Sequence, residues 1–133
     1  MYLEELNAKQ KDRFLDLGIS LAVADGHFSD AEKNTIHLLC DEMRIEDRYE
    51  IQATPEEAIR FFRSETSRRI QRIVVFELLG IAMADSVYET REREMVDELA
   101  KEFSIGDDEM KEISDAVEQL YGLYVKFSRF VDR

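Results

Sequence analysis

When the sequence is shifted against itself by 60 positions, two stretches fall into register, and this self-similarity constrains the fold more than any other feature. Ala22-Val23-Ala24-Asp25 falls on Ala82-Met83-Ala84-Asp85. Agreement in type continues with Phe28 on Tyr88, Glu32 on Glu92, Ile36 on Val96, Leu39 on Leu99, Met43 on Phe103 and Ile45 on Ile105. In each copy an apolar segment with helical spacing ends in Ala-x-Ala-Asp and a short loop carries an aromatic residue. A second helix then opens with a Glu seven residues after the Asp. Such a chain reads as two diverged helix–loop–helix units, each needing the other to cover its apolar face.

The rest of the chain agrees with an all-α fold. One proline and five glycines in 133 residues leave few helix breakers. No stretch alternates β-branched or aromatic residues with polar ones between turn clusters, as a strand would. A content of 44% hydrophobic and 36% charged residues belongs to a folded chain with a highly charged surface, and the length suits one domain, 1–133. Apolar spacing predicts a first helical region over 2–24, with a break near Asn7. Ser29-Asp30-Ala31-Glu32 is a capping box, and Thr54-Pro55-Glu56-Glu57 combines a capping threonine with proline at the first helical position. Between them, a short helix or turn is expected over 47–51. The most apolar helix runs from after Ser67 to about Asp85 and is expected to be central. Further helices are expected from Thr90 to Phe103, and after a break at Gly106 with Asp107 or Asp108 as cap. The sum is a compact bundle of about seven helices with a pseudo-twofold internal repeat.

Charge narrows the function. A net charge of −12 opposes nucleic acid and anionic membrane surfaces as partners, and favours cations or basic protein segments. The stretch 73–84 is interrupted by Glu77 and is too short to span a bilayer, which takes about 20 residues. No signal-peptide pattern opens the chain, and a single cysteine, Cys40, fits a reducing compartment. A cytoplasmic protein is the simplest expectation.

Ala24, Asp25, Gly26, Phe28 and Glu32 resemble the signature loop of the TerB-like (tellurite-resistance) family, and Ala84, Asp85, Tyr88 and Glu92 resemble its partner loop. Ser86 stands where the second loop of that pattern has glycine. The resemblance implies a bundle of about seven helices, acidic residues clustered from two loops, and a role in tellurite or stress responses through metal or protein binding. Physical chemistry adds a reason to look at the aspartates. Asp25 and Asp85 fall at helix C-termini, where the macrodipole disfavours negative charge by about 0.3–1 kcal/mol. If the loops meet, Asp25, Glu32, Asp85 and Glu92 form an all-oxygen set suited to a divalent cation, Ca²⁺ or Mg²⁺ rather than Zn²⁺. The competing explanation is architectural, with Glu32 serving only its capping box and Arg91 neutralising Asp85. A zinc site from His27, His37 and Cys40 is weaker, because under the shift Cys40 falls on Ala100 and His37 on Asp97.

Two surface features remain. The last helix carries Ile113, Ala116, Val117, Leu120, Tyr121, Tyr124, Phe127 and Val131 at helical spacing, and its second half is aromatic. Tyr121, Tyr124, Phe127 and Phe130 are therefore candidates for a protein-partner or homodimer face. Acids dominate 85–118, whereas Arg60, Arg63, Arg68, Arg69 and Arg72 cluster against Glu65 alone. These arginines are expected to pair with acidic surface or coat a solvated face, the alternative being a docking site for an anionic partner such as the acidic face of a second copy. No phosphate loop, nucleophile elbow or serine–histidine pattern is present, so catalysis is not expected. Two functions follow: a non-enzymatic binding module with a two-loop cation site, or an interaction scaffold whose acidic loops are structural.

Overall fold

The computed structural model describes residues 1–24, 26–84 and 90–133. Among these the chain is all-helical: α1 (Ala8–Ala22), α2 (Asp30–Met43), α3 (Pro55–Glu65), α4 (Arg68–Ala84), α5 (Thr90–Glu102) and α6 (Asp107–Val131), preceded by a 3-10 turn at Leu3–Glu5. Side chains satisfy the free amides at three helix starts. Asn7 pairs with Gln10, Ser29 with Glu32 and Thr54 with Glu57, each as a reciprocal capping box. The expected break near Asn7 is thus a cap. Helix α6 differs from expectation at its start. Gly106 occupies the cap position without a side-chain bond, and Asp107 and Asp108 lie inside the first turn, where their charge suits the macrodipole.

Helices α2 and α5 end alike. Arg44 adopts a left-handed conformation at φ 58°, while Ile45 N–H donates to Cys40 at 3.0 Å and Arg44 N–H to Asp41 at 3.1 Å. Sixty residues on, Ser104 sits at φ 55°, Ile105 N–H donates to Ala100 at 2.9 Å and Ser104 N–H to Lys101 at 3.0 Å. Both are Schellman closures, each followed by an isoleucine turned back toward the core.

Helices α1 and α4 share the centre: α1 packs on α2, α3 and α4, and α4 on α1, α3, α5 and α6. Phe14, Leu17, Ile36, Phe62, Val74, Leu78 and Leu99 fill the space between them without exposure beyond a trace. At about 1.5–3 kcal/mol for each large apolar side chain fully buried, this cluster is the main stabilising term.

No helix forms over 47–51; the segment is held irregularly by one buried acid. Asp16 on α1 is fully buried and accepts from Arg13 at 2.6 Å, from Arg48 at 2.7 Å and from the Gln52 amide at 2.8 Å. Arg48 also donates to the Glu50 carbonyl at 2.6 Å and the Asp12 carbonyl at 3.0 Å. These side-chain bonds replace the backbone ladder that a helix would have supplied.

No helix among the described residues is long and apolar enough to cross a membrane.

Candidate functional site

The acidic set read from the two loops is only partly visible. Asp25 and Asp85 lie outside the described residues. Glu32 and Glu92 both occupy the first turn of their helices, α2 and α5. Glu32 spends a carboxylate oxygen on its own cap, accepting from the Ser29 amide at 3.1 Å while Ser29 Oγ accepts from the Glu32 amide at 3.1 Å. Before that cap, Ala24 N–H donates to Leu21 at 3.3 Å and Gly26 N–H to Val23 at 2.9 Å, with Gly26 at φ +86°. A glycine serves there because the left-handed region penalises any Cβ.

The aromatic set divides along the axis of α6. Tyr121 is half-buried, and its hydroxyl donates to the Gly80 carbonyl of α4 at 2.7 Å. Burial pushes its pKa up from the ordinary tyrosine value, with the neighbouring Tyr124 and Glu77 adding to the effect. From Gly122 onward every residue of the helix is exposed. Tyr124 is 52% exposed, Phe127 60% and Phe130 68%, and Leu123, Val125 and Val131 are exposed with them. The reason is axial. Arg72 meets Glu109 and Gly80 meets Tyr121, so α4 and α6 run in the same direction. Helix α4 ends at Ala84, whereas α6 continues for ten residues beyond Tyr121, about 15 Å at 1.5 Å each. This end forms an apolar arm.

Beside the base of the arm lies a groove of 610 Å³ between α4, α6 and the chain start. Ile73, Phe76, Ile113, Ala116 and Leu120 supply its apolar walls, and Arg69 and Arg72 stand at its rim. Both arginines are engaged, Arg69 with Glu5 at 2.7 Å and Arg72 with Glu109 at 3.0 Å. Arg63 pairs with Glu102 at 2.6 Å, and Arg68 donates to the Phe103 carbonyl and, at 3.4 Å, to that of Ser104 at the end of α5. The basic cluster is thus largely turned onto neighbouring acids and carbonyls, as its sequence context implied.

One constellation was not read from the sequence. His37 and Asp41, one turn apart on α2, approach Asp47 of the following loop. His37 Nδ1 lies 2.7 Å from Asp47 and Nε2 3.3 Å from Asp41, and the Tyr49 hydroxyl donates to Asp47 at 3.2 Å. The hydrogen bond to Asp47, then the charges of Asp41 and Asp47, raise the His37 pKa against a smaller desolvation effect. A protonated imidazole therefore satisfies both carboxylates. The spacing of four between His37 and Asp41 was a usable signal, but the contact with Asp47 depends on the loop path. Cys40 is fully buried and its thiol is pushed up by burial, which disfavours the thiolate that a metal needs.

Asp16 was also missed. Its signal was an acid set between Leu15 and Leu17 on an apolar helix, and the structure makes it a ligand of two arginines.

No protein-family model, curated protein or solved structure matches the chain.

Proposed function

We propose that this chain is a non-enzymatic protein-interaction module whose working surface is the exposed arm of α6. One observation carries the proposal. Leu123, Tyr124, Phe127, Phe130 and Val131 lie uncovered within a nine-residue stretch of an otherwise well-packed protein. Contiguous apolar patches of more than a few hundred Å² mark interaction sites on soluble proteins. Aromatics are favoured at the centres of such sites because they bury much area for little conformational entropy.

Within this proposal the molecule is two copies of one helix–loop–helix unit. The unit reading is supported by second helices that start 60 positions apart, at Asp30 and Thr90, and by the matched Schellman closures at Arg44 and Ser104. The TerB-like resemblance fits the same division, and protein binding is among the roles that resemblance implies. The acidic loops are taken as architecture, supported by the Glu32 carboxylate at its cap.

The test places a photo-crosslinking phenylalanine analogue at Phe127 of the full chain in the cells that make it, with the same analogue at Asp108 as control. Adducts with a defined protein, another copy of this chain included, are expected at Phe127 and not at Asp108. Indistinguishable adduct patterns at the two positions would refute the proposal.

A further inference from the structure

We infer that the arm docks on a second copy of this chain, two α6 helices pairing antiparallel so that each arm lies along the partner's groove. This rests on the arm being an interaction surface and names its occupant.

The first observation is a seam. Ile113, Ala116, Leu120, Leu123, Phe127 and Phe130 recur at alternating spacings of three and four residues, the pattern that keeps one stripe of a helix against another helix. This stripe borders the face that fixes α6 to α4, where Val117 is buried, Ile113 packs against the core and Tyr121 bonds Gly80. Its first half, Ile113 to Leu120, is the wall of the 610 Å³ groove; its second half is the arm. Groove and arm are therefore continuous parts of one apolar line. A single copy cannot use both, because a straight helix cannot fold its end back onto its own start. Two copies can.

The second observation is charge. The first half of α6 carries Asp107, Asp108, Glu109, Glu112, Asp115 and Glu118 against Lys111. The second half carries Lys126, Arg129 and Arg133 against Asp132. Parallel pairing would stack like on like, whereas antiparallel pairing sets each basic arm on the partner's acidic half. The register follows from the seam. With Leu120 of each copy beside Leu123 of the other, Phe127 meets Ala116 and Phe130 meets Ile113. Glu112, Gln119, Lys126 and Arg133 recur every seven residues along one border of the seam and are all exposed. In this register Glu112 faces Arg133 of the second copy, and Gln119 faces its Lys126. The small side chain of Ala116 leaves room for the Phe127 ring of the second copy, and each copy contributes both an arm and a groove.

Sedimentation of the purified full chain over a wide concentration range tests the pairing, with two charge-reversed chains. One carries Glu112→Lys and Gln119→Lys, the other Lys126→Glu and Arg133→Glu; all four positions are exposed, so both chains should melt like the parent. The parent is expected to dimerise. Each reversed chain alone should associate at least about tenfold more weakly, and their equimolar mixture should recover parental affinity, because only in the mixed pair do the reversed residues face opposite charges across that border. A parent that stays monomeric at every concentration overturns the inference. So does a dimer that neither reversal weakens or that mixing fails to rescue. A monomeric parent whose Phe127 analogue still captures a different protein would sink self-pairing alone and leave the interaction surface standing. A monomeric parent with no specific adduct would remove both.

Discussion

The body of this protein and the arm of α6 treat their difficult groups in opposite ways. In the body, no buried side-chain nitrogen or oxygen among the described residues lacks a hydrogen-bond partner. Even Asp16, with no exposure at all, is met by two guanidinium groups and a backbone amide. In the arm it is apolar surface that lies uncovered: Phe127 and Phe130 remain more than half exposed. An unpaired buried charge costs several kcal/mol, so the fold meets Asp16 with partners from within the same chain. Exposed aromatic surface costs nothing to folding relative to the unfolded chain, so it persists until something covers it. Under the proposed function, the difference separates what the fold needs for its own stability from what it keeps for contact.

The contrast is broken most severely at Asp16. Asp16→Ala leaves Arg48 facing a buried gap and frees the Gln52 amide, and a loss of about 3 kcal/mol is expected, read from urea denaturation. Arg48→Ala, which leaves Arg13 on Asp16, should cost less. If Asp16→Ala were as stable as the parent, the clamp would be a surface ion pair and the body would owe nothing to it. Substitutions in the arm, at the same time, should leave the denaturation midpoint of the monomer unchanged.

A smaller effect tests the loop that precedes α2. Glu32→Ala removes half of a capping box and should cost about 1 kcal/mol, seen as a lower melting temperature. If Glu32 is architectural, that cost is the same in chelator and in excess Ca²⁺ or Mg²⁺. A saturable rise in melting temperature of the parent with one of these ions, absent in Glu32→Ala, would instead make Glu32 a cation ligand and restore the two-loop site.

How much of this was legible beforehand follows from the range of each interaction. Caps are local, so Ser29 with Glu32 and Thr54 with Pro55 were readable as helix starts. Helical periodicity marked the apolar stripe of α6 but could not tell Tyr121 from Tyr124. The two differ in depth along the axis: Tyr121 lies level with Gly80, and Tyr124 is exposed farther along. That depth depends on where α4 ends, which no periodicity within α6 encodes. The Asp16–Arg48 pair spans 32 residues, and its loop therefore reads as a short helix or turn when taken alone. Asp25 and Asp85, central to the cation site expected from the sequence, lie outside the described residues.

The smallest expected effect lies at the surface of the body, where His37 bridges Asp41 and Asp47. The same segment that Asp16 clamps from inside is tied here from outside, with water competing for every bond. The folded pKa of His37 is raised, chiefly by its bond to Asp47, above the ordinary 6.5. A histidine shifted in this direction adds stability that is fully present below the unfolded value and is lost as pH rises through the folded one. The advantage of the parent over His37→Gln should therefore be greatest below the ordinary 6.5 and fall away as pH rises through the raised folded value, followed as a difference in melting temperature. A His37→Gln difference that stayed constant with pH would mean that the imidazole acts through packing or a neutral hydrogen bond. An advantage that grew with pH would mean that the neutral ring is the favoured form, and the outer tie would then owe nothing to charge.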